Sequence, residues 1–204
     1  MTRLPIIVLV DSSGRMHGDN ITRSNKLIND LVMSLRANPN ALETAYFSVS
    51  TFNHTFTPML DFLPVALLFD LPILQAYPST PPMLGSALTL LSDWIGKRII
   101  PPDDAKPIVL FFWGGGCTDK ADFNEALLRI DKINCAVVVV PLCLPAKEQQ
   151  AMPSKWIKLE STMSDTDIIK RVIEESFSFI EAEPSTGENI CTTLPDLPSE
   201  IRIN

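Results

Sequence analysis

The sequence predicts an α/β domain of the doubly wound, Rossmann-like type: a mostly parallel sheet with one antiparallel edge strand and helices on both faces. Three runs, residues 4–10, 107–113 and 135–140, are apolar throughout, which is typical of strands buried on both faces. Amphipathic segments with helical spacing lie between these runs. Alternation of strands and helices favours a parallel sheet built with right-handed crossovers.

Two of the buried runs end abruptly in polar or glycine-rich loops. The first is followed by Asp11-Ser-Ser-Gly and the second by Gly114-Gly-Gly-Cys-Thr-Asp. The carboxyl ends of parallel strands meet at one edge of the sheet, and ligands of open α/β sheets bind at that edge. We therefore expect the functional residues to gather there.

A helix and a hairpin are predicted to follow the first strand. Asn20 is expected to cap the helix and Asn38-Pro39 to end it. Residues 44–52 and 55–60 are β-rich runs on either side of Asn53-His54, a composition typical of a tight turn. The second run is predicted to be a short antiparallel edge strand. The apolar positions of the helix are Ile21, Ile28, Leu31, Val32 and Leu35.

Residues 64–82 are rich in proline, so they are predicted to form a surface connection with little more than one turn near residues 65–69. A second helix should follow and stop before Pro101-Pro102. The third helix should follow the Gly114 loop, with Thr118 or Asp119 as its cap. The inward positions expected of these two helices are Leu84, Ala87, Leu88, Leu91, Ile95, Phe123, Ala126, Leu127 and Ile130.

The last part of the domain is predicted to hold a short strand within residues 155–159 and a final helix. Ser164 with Asp167 three residues later is the pattern of a capping box. We expect one domain over residues 1–183. Residues 184–204 are polar and interrupted by proline, and either of two interpretations fits them: a disordered tail or a docking segment for a partner.

Composition excludes several classes of function. The chain has 24 acidic and 17 basic residues, a net charge of -7 and no basic cluster, which argues against a nucleic-acid partner. No apolar run approaches the roughly 18 residues that a membrane span requires. The four cysteines are widely spaced and form no Cys-x-x-Cys pair, which favours reduced thiols and a cytoplasmic protein.

Several motifs together resemble the von Willebrand factor A (VWA) domain. They are Asp11-Ser-Ser-Gly-Arg-Met after the first strand, Ala41-Leu-Glu-Thr, Leu84-Gly-Ser-Ala-Leu, and the Gly114-Gly-Gly-Cys-Thr-Asp loop. Their order and spacing over residues 1–182 look most like the TerY-like branch of bacterial tellurite-resistance and stress-response loci. The resemblance implies a binding module whose partners include a kinase and a phosphatase.

The resemblance also implies a metal-ion-dependent adhesion site (MIDAS), and this sequence departs from it. The family binds Mg²⁺ or Mn²⁺ through an Asp-x-Ser-x-Ser loop, a threonine before the second helix and an aspartate after the fourth strand. Asp11 and Ser13 match, but Arg15 replaces the second serine, Pro82 the threonine and Gly114 the second aspartate. A fixed guanidinium beside a dication costs several kcal/mol even at an effective dielectric of about 20. We predict no metal of the family type, and at most a weak Mg²⁺ association with Asp11 and Ser13.

Two roles remain open for Arg15. It either fills the vacated cation position and pairs with Asp11, leaving donors for a partner's carboxylate or phosphate, or it points into solvent. Thr80 could rejoin the site if the proline loop before the second helix were two residues longer than in the family.

The resulting prediction is a non-enzymatic, protein-binding adaptor with a degenerate MIDAS and no cofactor. The first alternative is a cysteine hydrolase in which Cys117 is the nucleophile, His17 the base and Asp11 the orienting group. The second is a Mg²⁺-dependent adhesion module that keeps its metal despite the substitutions. The predicted partner-binding residues are Asp11, Ser13, Arg15, Thr80, Gly114 and Asp119.

Overall fold

The computed structural model describes residues 3–98, 105–143 and 152–181. Its core is a six-stranded sheet in the order β3-β2-β1-β4-β5-β6, and only the β2-β3 pair is antiparallel. This confirms the predicted doubly wound fold with one antiparallel edge strand. The strands are β1 (Leu4–Asp11), β2 (Ala45–Phe52), β3 (Phe56–Pro64), β4 (Ile108–Trp113), β5 (Ala136–Pro141) and β6 (Ile157–Lys158).

Helices cover both faces of the sheet. One core layer lies under α1, α2 and α5 together with the chain after β3, and the other lies under α3 and α4. Every residue of β1, β4 and β5 is buried, as expected for strands covered on both sides. The helices are α1 (Asp19–Ala37), α2 (Pro39–Thr44), α3 (Leu84–Arg98), α4 (Lys120–Lys132) and α5 (Asp165–Glu181).

The start of α1 differs from the prediction. The helix begins at Asp19, and Gly18 with a φ of 82° occupies the N-cap position. Asn20 does not cap the helix; its Nδ2 donates a hydrogen bond to the carbonyl oxygen of Arg15, 3.0 Å away. Asn20 therefore anchors the loop after β1 to the first turn of α1.

The helix α2 was not predicted from the sequence. Asn38 ends α1 and also caps α2, because its Oδ1 accepts hydrogen bonds from the N–H groups of Asn40 and Ala41 at 3.0 and 3.2 Å. Pro39 opens the helix, where its missing N–H carries no cost.

Ser164 caps α5 as predicted, but Asp167 bonds to the Ser164 hydroxyl rather than to its backbone N–H, so the capping box is formed in part. The Oγ of Ser164 accepts a hydrogen bond from the Asp167 N–H at 3.2 Å and donates one to the Asp167 carboxylate at 2.6 Å. The predicted tail, residues 184–204, lies outside the described residues. No helix in the described ranges is both long enough and apolar enough to cross a membrane.

Candidate functional site

Asp11 ends the central strand β1 and holds two loops together. Its Oδ1 accepts a hydrogen bond from the Ser13 N–H at 2.8 Å, and its Oδ2 accepts one from the Gly114 N–H at 3.2 Å. Asp11 is fully buried, so both bonds are shielded from water. The loops after β1 and β4 are thus fixed to each other at the carboxyl edge of the sheet, as the sequence predicts.

Burial dominates the protonation of Asp11. The loss of hydration raises the pKa of its carboxyl above the usual 3.8, although hydrogen bonds from Ser13 and Gly114 and the positive charge of Arg15 all act in the opposite direction. The hydroxyl of Ser13 is close enough to contribute to this lowering, yet it forms no hydrogen bond of good geometry with any described residue.

The segment between β3 and α3, residues 65–83, forms a strap over this site. Its Tyr77 N–H donates to the Ser12 carbonyl at 2.9 Å, and the carbonyl of Thr80 accepts from the Gly14 N–H at 3.1 Å. A Cβ on Gly14 would lie 2.3 Å from the carbonyl oxygen of Pro78, so only glycine allows this close approach. The strap therefore seats the 12–14 loop from the side opposite Gly114.

Arg15 lies on the glycine loop that follows β4. A Cβ at Gly116, where φ is 84°, would come within 3.1 to 3.3 Å of the Cζ, Nε and Nη2 atoms of Arg15. The side chain is exposed, but its charge reaches Asp11 and lowers the pKa of that carboxyl. Arg15 is therefore packed against the site loop rather than extended away from it.

The donor set does not fit the metal that the MIDAS resemblance implies. The side-chain oxygens of the family type that remain are those of Asp11 and Ser13, and both Asp11 oxygens already accept backbone hydrogen bonds. A Cβ on Gly114 would lie 2.7 Å from the Sδ of Met16 and 3.2 Å from Asp11 Oδ2, so a carboxylate at the second position would have to displace the Met16 side chain. With Arg15 adjacent, a dication would face one carboxylate and one guanidinium.

Thr80 and Gly114 both lie at the site, but not as the ligands of the resemblance. The hydroxyl of Thr80 donates to its own strap, to the carbonyl of Tyr77 at 2.8 Å, and only the Thr80 backbone contacts the site loop. Gly114 contributes its N–H to Asp11 and its carbonyl oxygen to the thiol of Cys143, 2.9 Å away.

Asp119 has a different role from the predicted cap of α4. It occupies the N-cap position, but its carboxylate makes no capping bond there. Instead, it accepts hydrogen bonds from the N–H groups of Gly85 and Ser86 at 3.1 and 2.7 Å, which caps α3. Burial by itself would raise the pKa of Asp119, but hydrogen bonds from the two N–H groups and from the side chains of Ser86 and Cys117 together lower the pKa. Thr118 does not cap α4 either; its hydroxyl donates to the carbonyl of Pro82.

The environment of Cys117 does not favour a nucleophilic thiolate. Burial raises the pKa of the Cys117 thiol, and the neighbouring Asp119 carboxylate, 3.4 Å from its sulfur, raises it further. His17, the predicted base, has an exposed side chain. Neither group shows the activation that a cysteine hydrolase needs.

We expect the alkylation rate of Cys117 to keep rising with pH up to 9 without a plateau, because its pKa lies above the ordinary value of 9.0. Peptide mapping by mass spectrometry after iodoacetamide treatment separates Cys117 from the other cysteines. The Asp119→Asn variant should react about threefold faster, since one nearby negative charge is removed. A rate that levels off below pH 7 would instead indicate an activated thiol.

Several groups that hydrogen-bond to the loops of the site were not predicted from the sequence. Ser12 Oγ donates to the Phe52 carbonyl at 2.9 Å and accepts from Asn53 Nδ2 at 3.2 Å, which joins the site loop to the β2-β3 turn. Cys143 could have been found from its position directly after β5, whose carboxyl end shares this edge. For Tyr77 no sequence signal exists, because its contribution is a backbone N–H.

Comparisons with known proteins agree with this architecture. No protein-family model and no curated protein sequence matches the chain. Among solved structures, the SpRpn10 VWA domain superimposes with a TM-score of 0.57 at 12% identity, over 84% of this chain and 95% of that chain. Proximal thread matrix protein 1 (PTMP1) of the mussel byssus superimposes with a TM-score of 0.63 at 16% identity, over 84% of this chain.

The alignment spans 47% of the PTMP1 chain, so this protein corresponds to about half of that length. A further PTMP1 structure, described as having a zinc-occupied MIDAS motif, gives a TM-score of 0.57. At identities of 12% to 16%, these superpositions establish the fold.

Proposed function

Because the chain has the fold of a VWA domain, we propose that it is a protein-binding module whose contact face is the loop cluster around Asp11 and Arg15. The observation that carries this proposal is that Asp11 and Arg15 have different roles at the site. A buried carboxyl fixes two loops through their backbone, and an exposed guanidinium lies on top of them. The buried group supplies order and the exposed group supplies a charge for recognition.

Arg15 takes over the role of the missing dication in this proposal. In the MIDAS pattern the metal links the Asp-x-Ser loop to an acidic group of the partner. Arg15 is a permanent cation close to Asp11, and its planar donors suit a carboxylate or a phosphate. The degenerate MIDAS would then bind its partner without metal, and the partner's contact residue would be acidic or phosphorylated.

The biological setting of the proposal rests on the motif resemblance described above. We place the protein in a bacterial tellurite-resistance or stress-response system of the TerY-like type, in the cytoplasm, with a kinase or a phosphatase as partner. Its role there is that of a non-enzymatic adaptor. The hydrolase alternative is less well supported because the pKa of Cys117 is raised, and the Mg²⁺-dependent alternative because three of the five ligand positions carry Arg15, Pro82 and Gly114.

We expect isothermal titration calorimetry with Mg²⁺ or Mn²⁺ to show no stoichiometric binding at millimolar ion concentrations. The Arg15→Ser variant restores a hydroxyl where the family has one, and it should bind Mn²⁺ more tightly than the wild type because the repelling guanidinium is gone. Tight binding by the wild type that is lost in Asp11→Asn would contradict the proposal.

Affinity capture from a host lysate tests the contact face. We expect wild-type protein to retain its partner equally well with and without EDTA. The Arg15→Ser variant should lose that partner. Lys170→Ser on α5 is a matched control, because Lys170 is another exposed basic residue on a different element. Equal loss of the partner in both variants would show that capture depends on the overall charge of the protein rather than on Arg15. Loss of capture in EDTA would show that binding requires a metal.

A further inference from the structure

Exposed apolar side chains are unevenly distributed over the molecule. In the described ranges, ten large hydrophobic side chains are exposed, and eight of them fall between residues 33 and 77. The other two, Leu90 and Leu128, lie on α3 and α4. Single exposed hydrophobic residues are ordinary, but a concentration in one part of the fold marks a contact surface. The eight residues are Met33, Leu42, Met59, Leu63, Leu67, Phe69, Ile73 and Tyr77.

Five of these residues form one patch, which we call the α2 patch: Met33, Leu42, Leu63, Leu67 and Phe69. They come from α1, α2, β3 and the chain just after β3, and α2 contacts each of the other three. Leu63 pairs with Phe47, whose side chain lies in the core beneath α1 and α2, so both face the same side of the sheet. The exposed fractions range from 38% for Leu42 to 77% for Phe69.

The patch is held in place by buried neighbours and polar contacts. Arg36 donates a hydrogen bond to the carbonyl of Leu68, and its guanidinium lies 5.0 Å from the ring centre of Phe69. Further along, the side-chain amide of Asn25 bonds both the N–H and the carbonyl of Leu74, each at 2.9 Å. Leu68 and Leu74 are each 3% exposed, so the chain on both sides of Phe69 is anchored by a buried leucine.

The charge around the patch is negative. Glu43 is adjacent to Leu42 and Asp70 to Phe69, both side chains are exposed, and neither belongs to an ion pair among the described residues. Arg36 adds one positive charge beside Phe69, where it donates to the Leu68 carbonyl, so the two carboxylates leave the border of the patch with a net negative charge. An apolar surface bordered by carboxylates fits a partner whose apolar side chains are flanked by lysine or arginine.

The same charges argue against an occupant from this chain. Residues 182–204 carry four acidic residues and one arginine, so they would be repelled by Glu43 and Asp70. A second copy related by twofold symmetry would bring the carboxylates of both patches together. Strand addition to β3 is also disfavoured, because Pro58 and Pro64 interrupt the donors of that edge strand.

We propose that the α2 patch is a second docking surface, separate from the Asp11 site, and that it binds a basic amphipathic segment of a partner protein, with Phe69 as the central anchor. The partner's apolar side chains pack on the patch, and its basic side chains pair with Glu43 and Asp70.

A fluorescein-labelled 18-residue amphipathic helix of leucine and lysine is the probe, and its leucine-glutamate counterpart is the control peptide. Fluorescence anisotropy should show saturable binding of the Leu-Lys peptide to wild-type protein. Phe69→Ser should weaken it about tenfold or more, as expected for a central aromatic anchor. Leu128→Ser removes an exposed leucine on α4, 63% accessible against 77% for Phe69, and should leave the affinity within about twofold.

The double variant Glu43→Lys with Asp70→Lys separates charge recognition from non-specific hydrophobic binding. It should lose the Leu-Lys peptide and gain the Leu-Glu peptide. Equal binding of both peptides by wild-type protein would overturn the proposal, as would equal effects of Phe69→Ser and Leu128→Ser. A dimer in sedimentation velocity that Phe69→Ser abolishes would assign the patch to a second copy. A tenfold gain in affinity on deleting residues 184–204 would assign it to the tail, and either result overturns the proposed partner.

Discussion

We expect the Asp11→Ala variant to lose about 2–4 kcal/mol of unfolding free energy at pH 7, because it leaves two buried N–H groups without an acceptor. These are the N–H groups of Ser13 and Gly114, which donate to the two carboxylate oxygens of Asp11. Urea denaturation followed by tryptophan fluorescence measures the loss. Asp30→Ala is the control, since Asp30 makes only an exposed ion pair with Lys26 and should cost about 0.5 kcal/mol or less.

The pH dependence of the same site has a definite sign. Burial raises the pKa of Asp11 in the folded protein above its ordinary 3.8, so the folded state holds the proton more tightly than the unfolded state. Stability from this group is therefore fully present below pH 3.8 and is lost as the pH rises through the raised pKa. The Asp11→Asn variant does not titrate at this position. The advantage of wild type over Asp11→Asn should shrink as the pH rises from about 4 to 7, and an advantage that grows would mean that the carboxylate is stabilised.

Two identical glycine-to-alanine changes on α3 should have opposite effects. A Cβ on Gly85 would lie 2.3 Å from the Phe123 nitrogen and 2.6 Å from the Asp122 carbonyl carbon, both backbone atoms of α4. Gly85→Ala must push α3 away from α4, and we expect a loss of about 2–3 kcal/mol. A Cβ on Gly96 would meet nothing within 4 Å. Gly96→Ala should gain about 0.5–1 kcal/mol from helix propensity alone.

Thermal unfolding of both variants by circular dichroism tests this difference directly. Because the chemical change and the helix are the same, propensity cancels and the comparison isolates the contact between α3 and α4. A Gly85→Ala variant as stable as wild type would mean that the two helices are not packed as closely as described.

The sheet could be predicted from sequence because its central strands are buried on both faces. A run without any polar residue, as in residues 4–10 of β1 and in all of β4 and β5, leaves few alternatives to a buried strand. The edge strand β3 was predicted from its turn, and the capping box at Ser164 from two residues three positions apart. These features depend on neighbours in sequence, so local patterns contain the necessary information.

The parts that the sequence did not reveal depend on contacts between distant residues. Asp119 caps α3, whose first turn lies 33 and 34 residues earlier in the chain, and its position before α4 suggested a different partner. The packing of Arg15 on Gly116 likewise arises only once two loops meet at the sheet edge. The helix α2 was missed for another reason: six residues are too few for apolar periodicity to show, even though Asn38-Pro39 is a good start signal.

The position of β1 at the centre of the sheet has a consequence for synthesis. Ala45, the β2 residue that pairs with Leu4, is synthesised soon after β1. Ile108, the β4 residue that pairs with Ile6 on the other side of β1, is synthesised much later. Until the ribosome has released about a hundred further residues, the central strand β1 therefore has one open edge. Nascent chains that stop short of β4 should depend on chaperones and aggregate without them, whereas in chains that include β4 this strand closes that edge.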